Sequence, residues 1–253
     1  MENYKKLLKL GCFTFSEASA VFENVNTTKT VIRNLKAHGL VESVKRNLYV
    51  AVSMETDSPV VSAYEIASHI TPTSYISHHS AFEYYGMANQ VYEDIYVSSE
   101  EKFNPFEFDG HTFRYISSKI SNGIVADKQV RVTDIERTIV DNIKDFNKIG
   151  GFEELIHCFS MITYADENKL ISYLNEYDNQ FLYQKTGYIL SNFQRELKLS
   201  NELFKVCSSK INRSIRYIYP DIVYENPVFN QEWQLYVPAD ISSIIDDGGN
   251  IDV

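Results

Sequence analysis

Asn26, Lys29, Thr30, Arg33 and Lys36 are polar or basic residues crowded into one short stretch, and on a helix at 100° per residue Lys29, Thr30 and Arg33 share an arc. Thr28, Val31, Ile32 and Leu35 fall on the opposite arc, which must face a core. Short polar and basic side chains in the first half of such a helix are what reading base edges in a major groove requires. Asn26 stands just before the helix and Lys36 at the edge of the arc. Lys45 and Arg46 come next, at the head of a predicted β turn, where cations reach phosphates. Two other groupings could do chemistry. His79 and Glu83 are one helical turn apart beside His78, which suggests a metal. A hydrolytic zinc site needs a third ligand and a base, as in HExxH, and the sequence has none, so no metal is expected. Glu136, Arg137 and Asp141 form the polar part of a further helix. Arg137 and Asp141 stand at i, i+4 and can pair, which reads either as an ion pair docking the helix or as a functional surface.

The elements that position these residues are set by capping and periodicity. Thr14 and Glu17 form a capping box that opens a helix over 14–22, with Ala18, Val21 and Phe22 on one face. A second helix, 27–38, stops at Gly39. Two β runs, 40–44 and 48–52, are joined by Lys45-Arg46-Asn47. Before them, Tyr4, Leu7 and Leu8 share the face of a short helix that Gly11 ends. This order predicts a winged helix-turn-helix domain over residues 1–54. SMETDSP (53–59) reads as a linker, and 60–253 as a second domain. In that domain a helix is expected over 60–70, then a β start into a helix over 74–87. Strands come next at 91–98, 106–116 and 128–133, with Asp109-Gly110 as a hairpin turn. Thr133 and Glu136 predict a second capping box, opening a helix over 134–143. Further helices are expected at 152–163, 166–177, 180–197 and 201–209, then β runs at 216–220 and 232–238, and a frayed acidic tail from 239. The expected fold class is α+β: an N-terminal winged helix-turn-helix followed by a mixed α/β domain with antiparallel strands and a helical C-terminal half.

Charge separates the two parts. The 253-residue chain carries −10, yet residues 1–54 hold eight Lys/Arg against four Asp/Glu, and the remainder 16 against 30. Such a split marks a nucleic-acid module joined to something else. Arg195, Lys198, Lys205, Lys210, Arg213 and Arg216 form the one basic patch outside the first module; it reads as a solvated face or a secondary contact with an anionic partner. Three scattered cysteines argue against a disulfide scaffold and a zinc ribbon. No apolar run spans a membrane, and no signal-peptide core precedes the first helix, so a cytoplasmic protein is expected. Absence of GxGxxG, Walker and GxSxG patterns argues against cofactors, and no D/E-x-K triplet sits well for a nuclease, so the chain is not expected to be an enzyme.

Beyond the N-terminal pattern, YISHHSAFEYYGM (75–87) and VRVTDIERTIVDNI (130–143), with GGFEEL (150–155) and WQLYVP (233–238), make the chain resemble the AbiEi family. These are antitoxins of a type IV toxin–antitoxin (abortive infection) system. The resemblance implies a repressor of its own operon that binds inverted repeats in double-stranded DNA. It also implies an antitoxin that counters a nucleotidyltransferase toxin without forming a stable complex with it. His78, His79, Glu136, Arg137 and Asp141 lie in the two sharpest motifs and become candidates for the antitoxin function. Paired half-sites call for a weak dimer or for monomers binding cooperatively. The alternatives are a ligand-sensing regulator, a winged-helix-guided nuclease, or a protein–protein module.

Overall fold

The structure, a computed structural model, describes residues 1–117 and 119–247. Two compact units divide the chain, each built from three segments. The first comprises Met1–Ile76, Glu93–Ser118 and Ala126–Val132; the second comprises Ser77–Tyr92, Lys119–Val125 and Thr133–Val253. Residues 1–54 therefore share a compact unit with segments that lie well beyond residue 60 in the chain.

The first unit opens with α1 (Glu2–Leu8), β1 (Cys12–Thr14), α2 (Phe15–Phe22), α3 (Val25–Ala37), β2 (Val41–Lys45) and β3 (Leu48–Ala51). Thr14 and Glu17 close the expected capping box at the start of α2. β1 is absent from the sequence expectation; it pairs antiparallel with β3, giving a three-stranded sheet of order β1-β3-β2. Leu7, Phe13, Ala18, Val31, Ile32 and Val41 form the core beneath these elements, while Leu8 is exposed rather than packed with Tyr4 and Leu7. The segment read as a linker is a closed loop. Val52 bridges Pro59, Val60 N–H returns to the Ala51 carbonyl, and the Ser53 hydroxyl accepts from the Glu55 and Thr56 amides. Turn-forming residues can fold back as readily as they extend, and here backbone pairing decides.

The chain continues through α4 (Ala63–His69), capped by a Ser62–Glu65 box. A six-stranded sheet comes next, made of β4 (Tyr75–Ile76), β5 (Asp94–Ser99), β6 (Phe106–Phe108), β7 (His111–Ser117), β8 (Ile124–Asp127) and β9 (Val130–Thr133), in the order β6-β7-β5-β4-β9-β8. β6 and β7 are the Asp109-Gly110 hairpin, Phe108 opposite His111, with both turn residues at positive φ as a tight primed turn demands. β8 is likewise absent from the sequence expectation. Its four side chains are all exposed, so no alternation marks it.

The second unit is mostly helical: α5 (His78–Tyr84), α6 (Ile135–Asp145), α7 (Gly151–Ser160), α8 (Glu167–Tyr177), α9 (Gln180–Ser191) and α10 (Asn201–Ser209). It also holds a small sheet of order β10-β12-β11, from β10 (Arg216–Tyr217), β11 (Val228–Asn230) and β12 (Leu235–Val237). Its core gathers Ile139, Ile143, Phe159, Leu174, Ile189, Leu203 and Trp233, among others. The expected Thr133–Glu136 capping box is absent. Asp134 caps α6 instead, accepting from the Arg137 amide, and Glu136 turns away to accept from the Asp166 amide at 2.8 Å. The tail read as frayed contains α11 (Ser242–Asp247), and its last part, 248–253, lies outside the described residues. The molecule is α+β. Among the described residues no helix is long and apolar enough to cross a membrane.

Candidate nucleic-acid interface

Helix α3 starts earlier than its apolar period suggests, because Asn24 caps it by accepting from the Thr27 amide at 2.9 Å. Asn26 is thus inside the first turn, not ahead of the helix. Thr28, Val31 and Ile32 are buried, and the Thr28 hydroxyl donates back to the Asn24 carbonyl. Asn26, Lys29, Thr30, Arg33 and Lys36 are all exposed. Lys29, Arg33 and Lys36 border a shallow depression of about 310 Å³ floored by Phe15, Ile32 and Tyr49. Among the described residues none of these three cations has a carboxylate partner, and Lys36 donates to the Ser43 hydroxyl at 2.6 Å, tying the end of the helix to β2.

The two hairpin cations differ. Arg46 is exposed in the β2–β3 turn. Lys45 ends β2 after a register shift, half-buried, with its ammonium 5.2 Å from the Phe103 ring and 5.7 Å from the Phe106 ring. Burial lowers its pKa. It packs against aromatic rings rather than standing free at the turn. Asn47, which sequence reasoning passes over, takes the left-handed conformation (φ 66°) and accepts from the Phe15 amide, fixing the hairpin tip to the start of α2.

The motif residues are not at the surface: His78, His79, Glu136, Arg137 and Asp141 are all buried. His79 bridges two carboxylates, Nδ1 to Glu83 Oε1 at 2.9 Å and Nε2 to Glu154 Oε1 at 2.8 Å. Burial alone would lower its pKa, but bonds with Cys158, Glu154 and Glu83 outweigh that and push it up to about 11, an imidazolium. Burial would raise the Glu154 pKa, but His79 and the Gln90 amide hold it below the usual range. Ligand atoms of His79, Glu154 and Cys158 lie within 4.8 Å of one another. Both imidazole nitrogens already face carboxylates, and Glu154 Oε1 also accepts from the Asn89 and Gln90 amides. The group forms a hydrogen-bonded charge network. The adjacent His78 Nε2 lies 3.5 Å from Asp145 Oδ2.

Arg137 is the second buried charge. Its Nε donates to Asp141 Oδ1 at 2.9 Å, and its other nitrogens donate to the carbonyls of Ile120 and Asn122. Tyr177 O–H reaches the same Asp141 oxygen at 2.5 Å. Asp134 Oδ2 accepts from Lys169 and from Tyr173 O–H. The polar residues of IERTIVD thus join α6 to α8 and to the loop before β8, the docking alternative of the two readings. Arg195, Lys198, Lys205, Lys210, Arg213 and Arg216 are exposed, with Lys205 near Glu202 and Lys210 near Asp178.

No family model matches the chain, and no curated protein matches it. Among solved structures it is similar to the crystal structure of the RV2827C protein from Mycobacterium tuberculosis, with a TM-score of 0.66, 10% identity, and coverage of 99% of this chain and 96% of that one. At that identity the likeness speaks for the fold.

Proposed function

We propose that the protein is a cytoplasmic DNA-binding transcriptional autorepressor in which α1 to β3 form a winged helix-turn-helix. The observation that carries this reading is the face of α3. Three cations without carboxylate partners among the described residues stand on it with Asn26 and Thr30, opposite a face on which Thr28, Val31 and Ile32 are buried and Leu35 is partly buried. Lys29, Thr30 and Arg33 read base edges in an operator with inverted repeats; Lys36 and Arg46 hold phosphates. Lys45, packed on aromatic rings, adds charge more than reach. Arg33→Ala is expected to weaken operator binding by about 1–3 kcal/mol and relax base preference at one position. Unchanged affinity and preference in a binding titration would remove Arg33 from the reading set.

We further propose, on the resemblance to AbiEi proteins, that the second unit carries antitoxin activity against a nucleotidyltransferase toxin. Burial of His78, His79, Glu136, Arg137 and Asp141 favours a supporting role for them, with recognition left to the surface they hold in place. Co-expression of a nucleotidyltransferase toxin of the AbiE type with wild type and with Arg33→Ala tests the separation. Growth rescue by both, with repression lost only in the variant, is the expected outcome, and toxicity unrelieved by the wild type would sink the antitoxin half. The ligand-sensing alternative is favoured by one observation, a cationic cleft.

A further inference from the structure

Within the first unit lies a cleft of about 950 Å³. Lys45, Arg46, Lys102, Lys128 and Arg131 line it, against two carboxylates, Glu17 and Glu101. Glu17 is committed to the capping box, accepting from the Thr14 amide and hydroxyl. Among the described residues none of the five cations forms an ion pair. Gathering like charges on one concavity costs self-repulsion, and a concave low-dielectric wall focuses the field on whatever anion enters. In a chain of net charge −10 this local reversal of sign stands out against its surroundings.

The cations divide by role. Arg131 is spent on the protein: its terminal nitrogens donate to the carbonyls of Ser68, Thr71 and Pro72, satisfying the end of α4, so it contributes field rather than contact. Lys45 lies over Phe103 and Phe106. Arg46, Lys102 and Lys128 are exposed and make no side-chain contact to a protein acceptor among the described residues. Lys128 is held at φ +55° in the β8–β9 turn. The lining also includes Leu48, Ile70 and Phe103, all buried apolar side chains. These are almost wholly buried, and Lys45 already covers the Phe103 ring, so the cations dominate the accessible wall; that wall, in a volume within the roughly 300–1,000 Å³ of small-ligand clefts, suits a small anion carrying several phosphates.

We propose that this cleft binds a small polyphosphate-bearing anion of the nucleoside triphosphate class, with Arg46, Lys102 and Lys128 on its phosphates. Because Arg46 also serves the proposed operator contact, occupancy of the cleft weakens DNA binding, and DNA weakens ligand binding by the same factor. The coupling rests on the operator-binding reading; the occupancy does not.

The test is calorimetric titration of the full chain with ATP and with inorganic tripolyphosphate, free of magnesium. The variants are Lys102→Glu/Lys128→Glu, both exposed and outside the DNA set, and the control pair Arg195→Glu/Lys198→Glu. One ATP per chain is expected, at least tenfold weaker in the first variant and unchanged in the control. Tripolyphosphate binding as tightly as ATP assigns the site to phosphate alone; weaker binding adds the ring. No saturable binding of either anion, or equal binding by all three proteins, overturns the proposal. In a second arm, saturating ATP lowers operator affinity of the wild type and leaves Lys102→Glu/Lys128→Glu unaffected. If that variant loses DNA affinity while no anion binds the wild type, the cleft extends the DNA surface and the proposal fails. If no protein binds the operator, the repressor reading fails and the calorimetry still decides the cleft.

Discussion

At the scale of single residues, the buried charges of the second unit are where pH and substitution should speak most clearly. His79 is raised above its unfolded value of about 6.5. A raised basic group stabilises fully below the unfolded pKa and loses that contribution as pH climbs through the folded one, here about 11. Denaturant titrations of wild type and His79→Gln should therefore differ most near pH 6 and converge toward alkaline pH. A difference constant across that window would mean His79 is neutral when folded. Glu154 acts oppositely: its lowered pKa gives stability above about 4.5 that is lost as pH falls. Arg137→Met leaves Asp141 buried and uncompensated and should cost roughly 3–5 kcal/mol. Arg137→Met with Asp141→Leu removes both charges and should recover most of that loss, as melting temperatures would report. A double variant as unstable as the single one would place the main cost in the abandoned carbonyls of Ile120 and Asn122.

Among the elements, helices are announced by caps and apolar period, and the errors fall where a partner far along the chain decides. Thr14–Glu17 is satisfied within four residues and is legible. Glu136 stands at the right spacing for a box, but the Asp166 amide, thirty residues away, takes it, and Asp134 becomes the cap. Short strands such as β1 and β8 owe their existence to the neighbour they pair with and leave little trace in composition. Cations of the cleft are invisible for the same reason, since residues 45, 102, 128 and 131 come from separate segments of the chain that line one cleft only in the fold. The basic residues of the α3 face are legible because one helix carries them all. Asn24→Ala removes the α3 cap and should cost about 1 kcal/mol (0.5–2), read as a lower unfolding midpoint. Gly187 is legible only in the structure: a Cβ there would collide with the Trp233 ring inside α9. Gly187→Ala, a change that favours an isolated helix, should instead destabilise the second unit by roughly 1–3 kcal/mol, and an unchanged melting curve would show that Trp233 yields easily.

For the whole molecule, the uneven charge sets the salt response that the proposed operator binding must show. A positive first module on a −10 chain, if it binds operator as proposed, does so with a steep negative dependence on salt concentration. Arg46→Ala should flatten that slope by about one phosphate contact without altering base preference; an unaltered slope would place the hairpin away from DNA. The boundary between compact units also passes elsewhere than the sequence suggests, because SMETDSP closes on itself and the strands of residues 94–117 join the N-terminal elements in one unit. The chain passes from one unit to the other several times before it ends in the second. During synthesis the first unit cannot be completed until residue 132 has left the ribosome, and by then residues 77–92 and 119–125 of the second are waiting for their partners. A unit woven in this way is not a cassette that recombination can lift at a single junction. If α3 reads an operator as proposed, its lineage should exchange specificity by point changes on that helix, and keep the rest of the thread in one piece.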